Sequence, residues 1–353
     1  MCVPREVERA GAQAQALLAT LPDPPLRERC DALANRAWAQ AVTGEVRVAE
    51  ALLAELHALV GRDPVDDDLT YDIAHARAQA LIRRGRFEES YAPATAAGEA
   101  CERSGRADLA YGCWMNAAGA AAAARDYPRA LAFIDRCAGQ LRGAGLTGME
   151  VPMLAARAFV LTRTGELGAA RAALAEQQRL AEQIGEPSMI SAAAYDRGML
   201  ALVEDEFAHA AELLAGALEQ DAPISRPLAR LARAEALARC ERCEEAEAEL
   251  RATALEQVGP ADFPDTLVAR MTRVQGLIAW ARGDLPLAER RLRASEDHWH
   301  RRREQLSSGD GMAAVLADFG RPVLGQVEPD LELERVRADL AALAPLITTT
   351  QGA

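Results

Sequence analysis

Lysine is missing from this chain altogether: all 40 of its basic residues are arginine. That absence excludes a phosphate-loop lysine, a Schiff-base lysine and a kinase-type ATP lysine. Arginine and alanine in place of lysine is the composition of a GC-rich coding sequence. Aromatic residues fill only 4% of the 353 positions although half are apolar, so alanine carries much of the apolar content. Such a composition favours helices that approach closely through small side chains. Alternating β-branched runs are scarce, and the 17 prolines and 25 glycines fall between segments as punctuation. The expected fold class is therefore all-α.

A net basic surface is lacking too. The formal charge of -13 argues against a nucleic-acid face, which needs positive charge somewhere. The one dense basic run, "HWHRRR" from His298 to Arg303, stands beside acidic neighbours and reads as a solvated helix face. Long apolar runs are also missing. The alanine-rich stretch "YGCWMNAAGAAAAARDYPRAL", 111–131, contains Asn116 and reaches Arg125 before it attains the ~20 apolar residues a bilayer requires. The opening "MCVPREVERAG" has no apolar core of a signal peptide, so the expected location is cytoplasmic. The seven cysteines then read as reduced thiols packed like small hydrophobes.

What the sequence does have is a repeat. Seven turn residues, Gly44, Gly85, Arg125, Gly165, Asp205, Glu241 and Gly283, follow one another at spacings of 36 to 42 residues. Two positions past them stand Val46, Phe87, Tyr127, Leu167, Phe207, Cys243 and Leu285. Five past come Ala49, Ser90, Ala130, Ala170, Ala210, Ala246 and Ala288, and seven before are Ala37, Ala78, Ala118, Ala158, Gly198, Ala234 and Gly276. Small residues on both sides of a turn let two antiparallel helices approach closely, while the apolar residue after the turn plugs the end of the hairpin. Nine past the turn are Leu53, Ala94, Ile134, Leu174, Leu214, Leu250 and Leu292, a face expected to pack against the next hairpin. One hairpin cannot bury this face alone, so the units must stack, with a right-handed superhelix as the expected outcome. The alanine-rich stretch is the third hairpin, with an unusually slim first helix.

This frame resembles the tetratricopeptide repeat, stretched from 34 residues to about 40 and without its closing proline. The resemblance covers residues 26–305. Stretched repeats of this kind are similar to the sensor region of large LuxR-type and maltose-activator-type bacterial regulators, and less closely to bacterial peptide-pheromone receptors. Those regulators carry a nucleotide-binding module before the array and a DNA-reading helix-turn-helix after it. Neither motif is present in this sequence, so the chain reads as such a sensor region by itself. Residues 1–25 are expected to form an N-terminal capping helix, with Pro4 in its first turn. Residues 306–353 are expected to be a C-terminal cap and tail: a short helix over 312–319, an extended "GRPVLGQVEP", and a final amphipathic helix with Asp330 as N-cap.

By the resemblance, the first helix of every hairpin lines a concave groove. With helical phase, that places Asp31 and Trp38, Asp72, His75 and Gln79, Met115, Phe159 and Arg163 on the groove. Tyr195, Met199, Arg239, Arg273 and Trp280 continue it. Aromatic and methionine side chains among a few polar groups suit a peptide or a drug-sized ligand; they also suit simple filling of the space that alanine leaves. Eight positions before the turns runs an arginine column, Arg36, Arg77, Arg157, Arg197 and Arg233, interrupted by Ala117 and closed by Gln275. Each guanidinium either forks to a carboxylate between repeats or belongs to a ladder that receives an acidic ligand.

Other constellations carry less. "CERC", Cys240 to Cys243, has redox spacing, but Cys243 holds the apolar plug position of its repeat, which favours packing. His298 and His300 lie on different helix faces and cannot share a metal unaided. No nucleophile–base pair accompanies the carboxylates, so an enzyme is not expected and neither is a cofactor. The expected function is a non-catalytic scaffold, adaptor or regulatory sensor, that binds a protein or peptide in its groove. The alternative is a small-molecule sensor detached from ATPase and DNA-binding modules.

Overall fold

The computed structural model describes residues 4–21, 25–43, 45–60, 66–219, 226–256, 265–307 and 329–351. Among them are sixteen helices and no strand. An opening helix α1 (Pro4–Leu18) precedes seven hairpins. Their first helices are α2 (Leu26–Thr43), α4 (Asp67–Arg83), α6 (Ala107–Ala123), α8 (Thr147–Arg163), α10 (Pro187–Val203), α12 (Arg226–Arg239) and α14 (Asp265–Ala281). The second helices are α3 (Val46–Val60), α5 (Phe87–Arg103), α7 (Tyr127–Ala144), α9 (Leu167–Ile184), α11 (Phe207–Glu219), α13 (Cys243–Glu256) and α15 (Leu285–Ser307). A final helix, α16, runs from Pro329 to Gln351. Every second helix begins at the residue two past the turn, the plug position of the sequence frame.

The turns explain the period. Gly85, Arg125, Gly165, Asp205, Glu241 and Gly283 all have φ between 58° and 80°, the left-handed conformation that ends a helix and reverses the chain. Gly44 lies outside the described residues. Gly105, Gly145 and Gly185 have the same conformation and join successive hairpins. From Gly85 to Asp205 a left-handed residue therefore recurs every 20 residues, so the forty-residue repeat is two nearly equal helix-plus-turn halves.

The small positions do what the frame requires. All seven residues five past the turn are fully buried, and so are the small residues seven before it. At Gly198 the approach is so close that a Cβ would lie 2.6 Å from Cγ of Leu214. Leu214 stands nine past the turn of the same hairpin, and Leu292 meets Gly276 in the same way. This corrects the expectation that the ninth position serves the next hairpin: it packs first inside its own. Ala94 does both, joining Ala78 of its hairpin and Ala117 of the next in one buried cluster.

The chain divides into two compact units, with the boundary after Met149 in the first turn of α8. In the first unit α1 lies on α2, where Arg36 packs its stem over Gly11 and reaches Glu8 and Gln15. In the second unit α16 packs an apolar stripe, Leu333, Val336 and Leu343 flanked by Leu340 and Ile347, against Trp299, Leu292, Ala288 and Ala269. The helix starts at Pro329, so Asp330, the expected N-cap, falls within its first turn. The expected short helix at 312–319 and extended stretch at 320–328 lie outside the described residues.

Candidate functional site

The expected groove residues fall into two groups, one in each unit. In the first unit Trp38 packs partly buried against the cluster of Leu33, Leu52, Leu56 and Leu69. Asp72 and His75, on one face of α4, come together with Tyr71, whose ring stacks on the imidazole at 5.3 Å between centroids. Arg106 lies over the Tyr71 ring, 5.0 Å from its centroid, and pairs with Asp68 at 2.9 Å. Cys113 Sγ is 3.9 Å from His75 Nδ1. Burial drives the His75 pKa down to about 4, so the imidazole is neutral at pH 7. Burial also raises Asp72 to about 6, helped by the nearby Asp31 carboxylate and opposed by Arg27 and Arg106. Arg27 bridges Asp31, at 2.8 Å, to Asp66. Gln79 and Met115 are half-buried on α4 and α6.

In the second unit the arrangement is different, because the first-helix side already holds something. Arg273 on α14 is almost fully buried and gives its Nε to Asp339 of α16 at 2.8 Å and its Nη1 to Glu235 of α12 at 2.9 Å. Arg239, at the end of α12, pairs with the same Asp339 and lies over the Phe207 ring. One turn before Arg273, Arg270 meets the buried Glu332 of α16 at 2.9 Å. Arg163 at the end of α8 reaches Glu334 at 3.7 Å. Trp280 packs, partly buried, against the apolar cluster that includes Leu333, Val336 and Leu343 of α16. Thus Arg163, Arg239, Arg273 and Trp280, four of the expected groove residues, are brought together by the chain's own last helix. Tyr195 is buried on α10, and Phe159 and Met199 are half-buried on α8 and α10.

The electrostatics of this contact are those of a tightly paired cluster. Burial pushes the Glu332 carboxyl up, but Arg270, Arg335 and Arg273 together hold it below its usual range. Glu235 behaves likewise between Arg273, Arg335 and Arg239. Glu332 and Glu235 are therefore ionised at neutral pH. Sequence reasoning missed Arg270, Glu235, Glu332, Glu334 and Asp339. A signal existed: Glu332 and Asp339 stand seven residues apart beside an apolar stripe at 333, 336, 340, 343 and 347, which marks a helix with a partner on two adjoining faces.

The basic run also changes meaning. Trp299 is fully buried and Arg302 nearly so, while His300 meets Arg337 of α16 at 3.0 Å and Arg337 binds Glu296 at 2.9 Å. The expected solvated face is thus partly a seat for α16. Of the arginine column, Arg36 and Arg233 fork to carboxylates, Glu8 and Glu249, and Arg77 is exposed. Cys243 is a free thiol whose Sγ packs 3.9 Å from the Ile278 carbonyl of the next hairpin. Among the described residues no group of three metal-ligating side chains comes together, and no helix is long and apolar enough to cross a membrane.

No family model matches the chain, and no curated protein matches it in sequence. Solved structures do. The apo form of RapI is similar with a TM-score of 0.62 and 12% identity, over 88% of this chain and 93% of RapI. A tetratricopeptide repeat protein from Parabacteroides merdae is similar with a TM-score of 0.54 and 12% identity, over 81% and 98%. NprR in complex with its cognate peptide NprX gives 0.53 and 12%, over 89% and 92%. The protein is an all-α chain of TPR-like helical repeats.

Proposed function

We propose that this protein is a non-catalytic, cytoplasmic binding scaffold that takes a protein or peptide on the first-helix side of its repeats, as an adaptor or regulatory sensor. One observation carries the reading: in the second unit four arginines of first helices already hold a helix, α16, over an apolar seat that α14 and α15 of the last hairpin share. A face that binds one amphipathic segment has the chemistry to bind another. The structural likeness to NprR, which was solved with a peptide, supports the same reading. The stretched period keeps the likeness to the sensor region of LuxR-type regulators in view, with a small-molecule effector as the alternative ligand.

Selection of peptides from a random library on the full chain tests this. Selected peptides should lose about tenfold in affinity, some 1.4 kcal/mol, when Phe159 and Met199 are both changed to Ala. They should keep their affinity when Arg251 on α13, exposed and outside the first helices, is changed to Ala. The opposite pattern would remove the first-helix side as the binding face.

A further inference from the structure

We infer that the first-helix side of the second unit is a receptor for an acidic amphipathic helix, and that α16 is the chain's own occupant of it. The inference rests on the proposed binding role and names the class of partner. Two features of the contact point to it, one apolar and one electrostatic.

The apolar stripe of α16 buries Leu333, Val336 and Leu343 on the last hairpin, which is all that a terminal cap needs. The acidic edge is additional. Glu332 and Asp339 are both almost fully buried, and they meet three arginines from two different first helices, Arg270 and Arg273 on α14 and Arg239 on α12. Buried ion pairs add little net stability over apolar packing of the same volume, and their best-attested use is to select one partner and one register. In the ion pairs of this contact the first helices bring these three arginines and the carboxylate of Glu235, so the part of the face that meets Glu332 and Asp339 is positive. Glu332 and Asp339 lie two turns apart, about 10 Å along the helix. A ligand that replaces α16 must bring two carboxylates at that spacing, each beside an apolar residue. A neutral or basic helix would strand the arginines.

α16 is also held by charge at its outer edge, where Arg337 pairs with Glu296 and Glu334 with Arg163. In both pairs the α16 member, Arg337 or Glu334, is more than half exposed, so the pairs are weak. A covalently attached occupant competes at an effective concentration on the order of millimolar, so an incoming helix must bind tightly or find α16 weakened.

The test uses the full chain and a labelled synthetic peptide of residues 329–351. Three proteins are compared: the unaltered chain, the chain with Glu332→Gln and Asp339→Asn, and that double variant with Arg239→Ala added. The double variant should bind the acidic peptide at least about tenfold more tightly than the unaltered chain. Adding Arg239→Ala should reverse most of the gain. A control peptide with Gln at 332 and Asn at 339 should bind the double variant at least about tenfold more weakly than the acidic one. Equal binding of both peptides, or no gain in the double variant, overturns the inference. Should the double variant fail to fold, hydrogen exchange on the unaltered chain decides: α16 amides should exchange at least about tenfold faster than those of α12. Exchange of α16 and α12 in a single step overturns it. If library peptides bind in a Phe159- and Met199-dependent manner while the acidic probe does not, only this inference falls; if no peptide binds any of the three proteins, the broader reading falls with it.

Discussion

Arg273 and Asp339 lie 66 residues apart in the chain and meet at 2.8 Å, each side chain 95% or more removed from solvent. The pair ties the final helix to the first helix of the last hairpin. Removing Asp339 leaves Arg273 with Glu235 alone and takes a shared carboxylate from Arg239, in a dry contact where an unbalanced charge costs several times what an exposed pair would. Asp339→Ala should therefore loosen α16 and speed tryptic cleavage after Arg335 and Arg337 by at least about tenfold. Adding Arg273→Met should cost less than the sum of the single changes. An unchanged cleavage rate would mean that the apolar stripe alone holds the helix.

Gly198 is where the hairpin frame is tightest. Its missing Cβ leaves room for Leu214, so Gly198→Ala should destabilise the full chain by about 1–3 kcal/mol in urea. Leu214→Ala in the same chain should recover part of that loss, since the two changes address one contact. Ala170→Leu, at a fully buried position of another hairpin, should cost a similar ~1–3 kcal/mol.

Glu241 adopts φ 60°, a conformation that a side chain disfavours. Its counterparts at Gly85, Gly165 and Gly283 carry none. Glu241→Gly should raise stability by about 0.5–1 kcal/mol, the relief of strain exceeding the added freedom of the unfolded chain. A loss of stability, read from urea midpoints, would show that Glu241 makes a compensating contact.

Asp196 gives a pH dependence with a definite sign. Burial raises its carboxyl to about 6, against the opposing hydrogen bond from Gln177 at 2.8 Å. A raised acid favours the folded state when protonated, so its contribution is best near pH 4 and is lost as pH climbs through 6. Asp196→Asn keeps an acceptor for Gln177 and removes the charge. It should stabilise the full chain by about 1–3 kcal/mol at pH 8 and by little at pH 4. Equal effects at both pH values would contradict the raised pKa.

The hairpins could be read from sequence because their determinants are local. Ala130, Ala170 and Ala210 recur at one offset from residues that reverse the chain, and helix geometry does the rest. The turns between hairpins were not found, since two positions past Gly105, Gly145 and Gly185 stand Ala107, Thr147 and Pro187 where the others carry a larger plug, and Glu150 and Ile190 break the small position after the latter two. The seat of α16 escaped for a different reason. Periodicity along a helix gives the face that is buried but not the partner, and the pairing of Arg270 with Glu332 spans 62 residues with no local signature. Trp299 and His300 were misread on the same account: the charge around them suggested solvent, and α16 meets both.

Hydrogen exchange of the full chain, with and without a peptide selected from the library, addresses the binding face itself. The account predicts that new protection falls on α8, α10, α12 and α14, and that exchange in α16 accelerates as it yields its seat. Protection confined to the second helices α9, α11 and α13, with α16 unaffected, would contradict it.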